Sequence, residues 1–334
     1  MSFLKIYSEA TVKPYLKVRA GETKLGEKVQ FVKDLESLKT CTANYVLLGI
    51  PEDIGVRANY GQEGTSKAWE VALSSFLNIQ HNPFTKSENI IVLGEIDCDT
   101  QMQQARTLSE NEGHSVEKLG ELVSQIDHKV STVIQAIVAA GKFPIIIGGG
   151  HNNSYGNLKG TSQALDKSVN CVNFDAHSDF RSLEHRHSGN GFSYAFEEGF
   201  LKKYFIFGLH RNYTSTNIFE MLLENVKTIQ FTFFEDIVIS EKITFQNAIK
   251  EAENFSCQDN FGLELDMDAV ENFGSSAISP SGFTLTEARK FVSYFSENKN
   301  CRYLHICEGS PEKGIFPNQV GKSISYLISD VIVN

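Results

Sequence analysis

Basic runs, proline-rich stretches and long apolar segments are all missing from this sequence. Its 334 residues include only 7 prolines against 41% hydrophobic residues, a composition far from that of a disordered or collagen-like chain and sufficient to bury a sizeable core. No cluster of Lys and Arg occurs, and 41 acidic side chains outnumber 31 basic ones. A protein that neutralises nucleic-acid phosphates needs the opposite balance, so a nucleic-acid partner is excluded and a small molecule is expected. The six cysteines, Cys41, Cys98, Cys171, Cys257, Cys301 and Cys307, form no CxxC pair and keep no regular spacing, which argues against a disulfide framework or a structural zinc site. No window approaches the roughly 18 apolar residues that span a bilayer. Residues 1–24 also lack a continuous apolar stretch of signal-peptide length, so a cytoplasmic location away from membranes is expected. A GxSxG elbow for a nucleophilic serine is absent as well.

What the sequence does contain is an alternation of short apolar, β-branched runs with longer segments of helical period, the pattern of parallel strands covered by crossover helices. Eight runs stand out: Tyr45 to Ile50, Ile90 to Ile96, Phe143 to Ile147, Val169 to Phe174, Tyr204 to Leu209, Val226 to Phe231, Phe261 to Met267 and Arg302 to Cys307. The clearest helix carries Val116, Leu119, Val123, Ile126, Val130, Val133, Ile134 and Ile137 on one stripe, with Gly141 as a stop. Further helices are expected over Lys67 to Leu77, Asn217 to Leu223, Phe245 to Glu253, Leu285 to Ser296 and Gln319 to Ile332. No repeat, linker or shift of composition marks a boundary. The expectation is one α/β domain over 1–334 with a mostly parallel eight-stranded sheet, residues 1–44 forming an N-terminal extension packed on it.

Polar residues gather at the C-terminal ends of four of these runs: Gly148-Gly149-Gly150-His151, Asp175-Ala176-His177-Ser178-Asp179, Asp266-Met267-Asp268 and Glu308. In open α/β sheets that rim is where ligands bind. Alternate strand residues share a side, but a straight strand would hold the backbones of Asp175 and Asp179 about 13 Å apart, so the chain must curl after His177 for both to reach one ion. Four carboxylates and two imidazoles suit two divalent ions with bridging carboxylates, since so many acids crowded together would otherwise repel and rise in pKa. Oxygen and nitrogen donors without thiolate favour manganese over zinc and leave cobalt, nickel and iron open. The glycines before His151 let the backbone approach other strands.

These fragments, in this order, resemble the arginase, agmatinase and formimidoylglutamase family of binuclear manganese hydrolases, from about Gly49 to the C-terminus. The resemblance implies an open eight-stranded parallel sheet between helices, a three-layer sandwich, usually assembled into trimers or hexamers. It further implies two Mn2+ per subunit. His151 and Asp179 would complete one ion and His177 and Asp268 the other, Asp175 and Asp266 bridging, with a hydroxide between the ions. Asp179 would orient that hydroxide and transfer its proton. Glu308, in His305-Ile306-Cys307-Glu308-Gly309, matches the family glutamate that pairs with the substrate cation.

Within the family, Gly150 before the first ligand histidine, Arg181 two residues after Asp179, and Ser188-Gly189-Asn190-Gly191-Phe192 are closer to formimidoylglutamase than to arginase. Arg181 suits a substrate carboxylate through a two-pronged ion pair, and Ser188 and Asn190 are further candidates for substrate binding. Gly191 stands where a proline is usual, and Ser188 aligns with a histidine of arginase and agmatinase. His187, one residue earlier, is the candidate proton shuttle, with His185 behind it. Gly49 to Val56 and Asn59-Tyr60-Gly61 follow the first strand, where the family places a loop near the active-site mouth, and residues 271–282 resemble the formimidoylglutamase loop more than the arginase one; none has an assigned role. The expected reaction is hydrolysis of N-formimidoyl-L-glutamate to glutamate and formamide, a linear amidine C–N bond. The alternatives are an arginase, agmatinase or other guanidino hydrolase releasing urea. A metal-dependent deacetylase, or a metal-bearing scaffold without turnover, fits the paired ligand motifs less well.

Overall fold

The computed structural model describes residues 3–108 and 115–332. Its sheet has nine strands: β1 (Leu4–Ile6), β2 (Tyr45–Gly49), β3 (Ile90–Ile96), β4 (Phe143–Ile147), β5 (Val169–Phe174), β6 (Leu201–Leu209), β7 (Ile229–Phe233), β8 (Phe261–Asp266) and β9 (Cys301–Cys307), in the spatial order β1-β3-β2-β4-β9-β8-β5-β6-β7. Every pairing is parallel except β1 on β3. The eight apolar runs therefore become β2 to β9. The ninth strand lies in the N-terminal extension, where three residues are too few to show a period, and it forms a short antiparallel edge of the sheet beside β3.

Period-two alternation along the strands builds the three layers. On one face Leu47, Ile145, Ile147, Phe174 and Leu265 pack with helices Ala68–Leu77, Phe245–Ser256, Leu285–Ser296 and Gln319–Ile332. On the other, Val46, Leu48, Ile146, Cys171 and Ile206 pack with Ser115–Ala139 and Asn153–Leu165. This is the arginase-like α/β sandwich that the motifs led us to expect. The run expected from Val226 begins later, at Ile229, because the backbone N–H groups of Thr228 and Ile229 both turn back to the Asn225 carbonyl.

Helix Asn153–Leu165 has no apolar stripe to announce it, since its buried residues include Asn153, Ser154, Gly156, Asn157, Gly160 and Thr161. It lies close against Ser115–Ala139 instead: a Cβ on Gly160 would stand 2.5 Å from the Ser131 carbonyl oxygen. Among the described residues no helix is long and apolar enough to cross a membrane, and all six cysteines are unbridged.

Candidate metal centre and substrate cavity

The sheet order makes neighbours of the four strands that end in polar residues, β4-β9-β8-β5. After β4 the backbone turns through Gly148 and Gly149 at φ of 93° and 74°, and at Gly149 an added Cβ would fall 2.3 Å from Asn153 Nδ2 and 2.8 Å from Glu52 Oε1. Glu52, fully buried, accepts hydrogen bonds from the backbone of Gly150 (3.0 Å) and the side chains of Asn152 (3.2 Å) and Asn153 (2.6 Å) through Oε1, and from the backbone of Ile54 (2.7 Å) and Gly55 (3.2 Å) through Oε2. The three donors from Gly150, Asn152 and Asn153 tie the loop after β2 to the turn that presents His151.

His151 Nδ1 meets three carboxylates: Asp179 Oδ2 at 2.8 Å, Asp266 Oδ2 at 3.1 Å and Asp175 Oδ2 at 3.2 Å. The expected curl brings Asp179 there, with its backbone in the left-handed region at φ 45°. One imidazole nitrogen can donate to one oxygen at most, so three acceptors around it form a site built for a cation. A second group, His177, Asp266 and Asp268, adjoins the first and shares Asp266 with it. Burial, with Asp175 and Asp268 beside it, pushes the Asp266 carboxyl well above the ordinary range; burial and Asp175 raise Asp179 too. For Asp175 burial acts in the same direction, but the two histidine rings beside it, His151 first, outweigh it and hold the carboxyl low. His177 is opposed by burial, yet the Asp175 carboxylate beside its ring, 3.6 Å from Nδ1, carries it up to about 10. Unbalanced negative charge of this kind fits divalent cations.

Behind the cluster, Glu264 accepts from His305 Nδ1 (2.5 Å) and the Tyr303 hydroxyl (2.8 Å) and lies 3.5 Å from His151 Nε2. Cys307 also stands near His151 and His305. Its thiol is pushed far up by burial, and its Sγ faces the Leu265 carbonyl.

Glu308, φ 61°, accepts from the His151 backbone N–H (2.6 Å) through Oε1, while Oε2 has no hydrogen-bond partner among the described residues. Burial, then Asp268, pushes its carboxyl up to about 8. It lines a cavity of about 480 Å³ together with His177, Asp179, Asp266, Asp268, Arg181, Ser188 and Tyr213. Tyr213 stacks on the His177 ring at 4.8 Å, and Ser276 Oγ and the Ala277 backbone hold the two oxygens of Asp268 at 3.1 and 2.9 Å.

A model of the arginase family matches residues 43–330. The chain belongs to the arginase family. It is 25% identical to the formimidoylglutamase of Macrococcus caseolyticus over 290 residues, 85% of this chain and 83% of that one. The structure superposes on formimidoylglutamase from Bacillus subtilis with a TM-score of 0.74, 17% identity and 96% of each chain covered. Formiminoglutamase from Trypanosoma cruzi, solved with Mn2+, gives 0.74 and 17% over 93% of this chain and 98% of that one.

Two sequence expectations fail against this family scaffold. Asn190 does not reach the cavity: its Oδ1 accepts from the Arg186 guanidinium and the His187 N–H, and its Nδ2 donates to the His185 carbonyl. His187 does not reach it either. It is buried, Nε2 faces Glu184 (3.0 Å) and Nδ1 accepts from the Gly189 N–H (3.1 Å), which leaves no nitrogen for a substrate. His185 is spent on the Ala58 carbonyl (3.0 Å). The cause is Arg186, buried between the rings of Tyr155 and Tyr194 and paired with buried Asp127 (3.0 Å), which turns this part of the loop inward. The sequence singled out the stretches that hold Glu52 and Asn59 without giving either residue a role, and Glu264 was passed over. Single polar residues in apolar or loop surroundings carry no spacing signal, though a glutamate inside the continuous run of β8 was a visible anomaly.

Proposed function

We propose that this arginase-family chain hydrolyses N-formimidoyl-L-glutamate to L-glutamate and formamide with two Mn2+ per chain. The observation that carries the reading is the mixed charge of the cavity lining: the carboxylates of Asp179, Asp266, Asp268 and Glu308 and the Arg181 guanidinium all border one cavity. A ligand cationic at one end and anionic at the other matches it, as a formimidoyl group on glutamate does.

When bound, a pair of divalent ions lowers the pKa of water enough to supply hydroxide near neutral pH. The protein does the rest. Glu308 Oε2 receives the amidinium N–H groups, fixing the formimidoyl carbon over the floor. Asp179 takes the proton of the attacking water and returns it to the departing amine of glutamate, so the bond broken is the one between the formimidoyl carbon and the glutamate nitrogen. Arg181 and Ser188 hold the carboxylate end. His187 is left out of the proton path, which passes through Asp179 alone. The same reading makes the chain a cytoplasmic homo-oligomer acting in histidine breakdown.

Protein loaded with manganese and offered N-formimidoyl-L-glutamate, arginine and agmatine tests this. Release of formamide and glutamate in equal amounts is expected. Urea from arginine or agmatine without formamide from the first compound would overturn it.

A further inference from the structure

The loop after β2 ends in a short helix, Ile54–Ala58, whose first N–H groups are held by Glu52 and whose last residues face the substrate cavity. The Asn59 backbone N–H closes that helix on the Gly55 and Val56 carbonyls at 3.2 and 3.1 Å, which fixes where its side chain starts. Both ends of the side-chain amide are then used. Oδ1 accepts from Arg181 Nη1 at 2.6 Å, and Nδ2 donates to Ser188 Oγ at 3.1 Å. All three residues line the cavity. One helix end therefore orients both groups on the anion-facing wall, and the neighbouring Ala58 carbonyl pins the same loop through His185.

Without that contact Arg181 has little to hold it. Its side chain is 51% exposed, and its other partner, Glu184, stands 3.9 Å away and would draw the guanidinium toward itself. A long, solvated arginine restrained only by such a pair loses much of its directional value.

We propose that Asn59 is a positioning residue that sets Arg181 and Ser188 and thereby makes the enzyme select a substrate ending in a carboxylate. This rests on the proposed function and deepens it. The Asn59 amide is suited to the task because it offers an acceptor to a cation and a donor to a hydroxyl without adding a charge that would compete with the ligand.

The test uses the full chain loaded with Mn2+, unmodified and as Asn59→Ala and Asn59→Asp. It compares turnover of N-formimidoyl-L-glutamate with that of formamidine, which has no carboxylate, and measures L-glutamate binding by calorimetry. In Asn59→Ala the preference for formimidoylglutamate over formamidine should fall about fivefold to tenfold, through KM more than kcat, and glutamate should bind weaker by a similar factor. Asn59→Asp should bind glutamate weaker still, because its carboxylate neutralises Arg181. A purely structural role predicts parallel losses on both substrates and no order between the two variants, and that pattern would overturn the proposal. So would glutamate affinity unchanged in both. If the unmodified protein releases no formamide yet binds glutamate in an Asn59-dependent way, the reaction assigned above fails while this inference stands.

Discussion

The backbone N–H of His151 donates a 2.6 Å hydrogen bond to Glu308 Oε1, so the end of β4 and the end of β9 are locked together at the point where the cavity floor forms. One carboxylate oxygen holds the turn that carries the first imidazole, and the other is left for the ligand. Glu308 keeps a left-handed backbone to do so, a conformation disfavoured for a side chain with a Cβ.

Removing that carboxylate should hurt catalysis far more than folding. Glu308→Ala is expected to lower kcat/KM for N-formimidoyl-L-glutamate on the order of 100-fold, the cost of losing one partner of a buried charge contact. Glu308→Gln, which keeps an oxygen for the His151 N–H, should retain the metal content of the native protein by elemental analysis while remaining impaired in steady-state assays.

Because Asp266 belongs to both groups of prospective ligands and His177 to only one, their substitutions should differ in stoichiometry. Asp266→Ala should reduce bound manganese to well under one ion per chain, and His177→Ala to about one, by elemental analysis after gel filtration. Equal retention in the two variants would contradict a shared Asp266.

Chelation should also destabilise the fold, since it leaves buried carboxylates facing one another. Dialysis against EDTA is expected to lower Tm by several degrees and abolish formamide release, with manganese restoring both.

Burial is the main influence on His187 and lowers it to about 4, in spite of Glu184. Between its ordinary value near 6.5 and about 4 the unfolded chain therefore binds a proton that the native chain refuses, so stability falls on acidification through that window. His187→Asn, which keeps a hydrogen-bond acceptor for Gly189, should flatten Tm against pH there. The pH dependence of kcat should not change, because His187 lies outside the cavity; an altered profile would return it to the proton path.

The close helix contact gives a stability prediction. A side chain at Gly160 must displace the Ser131 carbonyl oxygen, so Gly160→Val should cost about 1–3 kcal/mol and lower Tm by a few degrees in thermal unfolding.

Strands β2 to β9 were legible because each is a compact apolar run, and a buried parallel strand needs nothing else. His151, Asp175, His177, Asp179, Asp266, Asp268 and Glu308 were legible because polar residues clustered just past such runs break a strong pattern. Arg181 was legible as a carboxylate partner only through the family resemblance, from its place two residues after Asp179. Tertiary structure alone decided that the four polar strand ends are adjacent, since the order β4-β9-β8-β5 depends on crossovers that local periodicity does not encode. It decided against Asn190 and His187 as well. Their neighbour Arg186 is buried against Asp127 from a distant helix, and satisfying a buried guanidinium outweighs presenting a histidine to the cavity. It also assigned Asn59 its partners, which lie more than a hundred positions away in the chain and become neighbours only when the loops after β2 and β5 meet over the sheet.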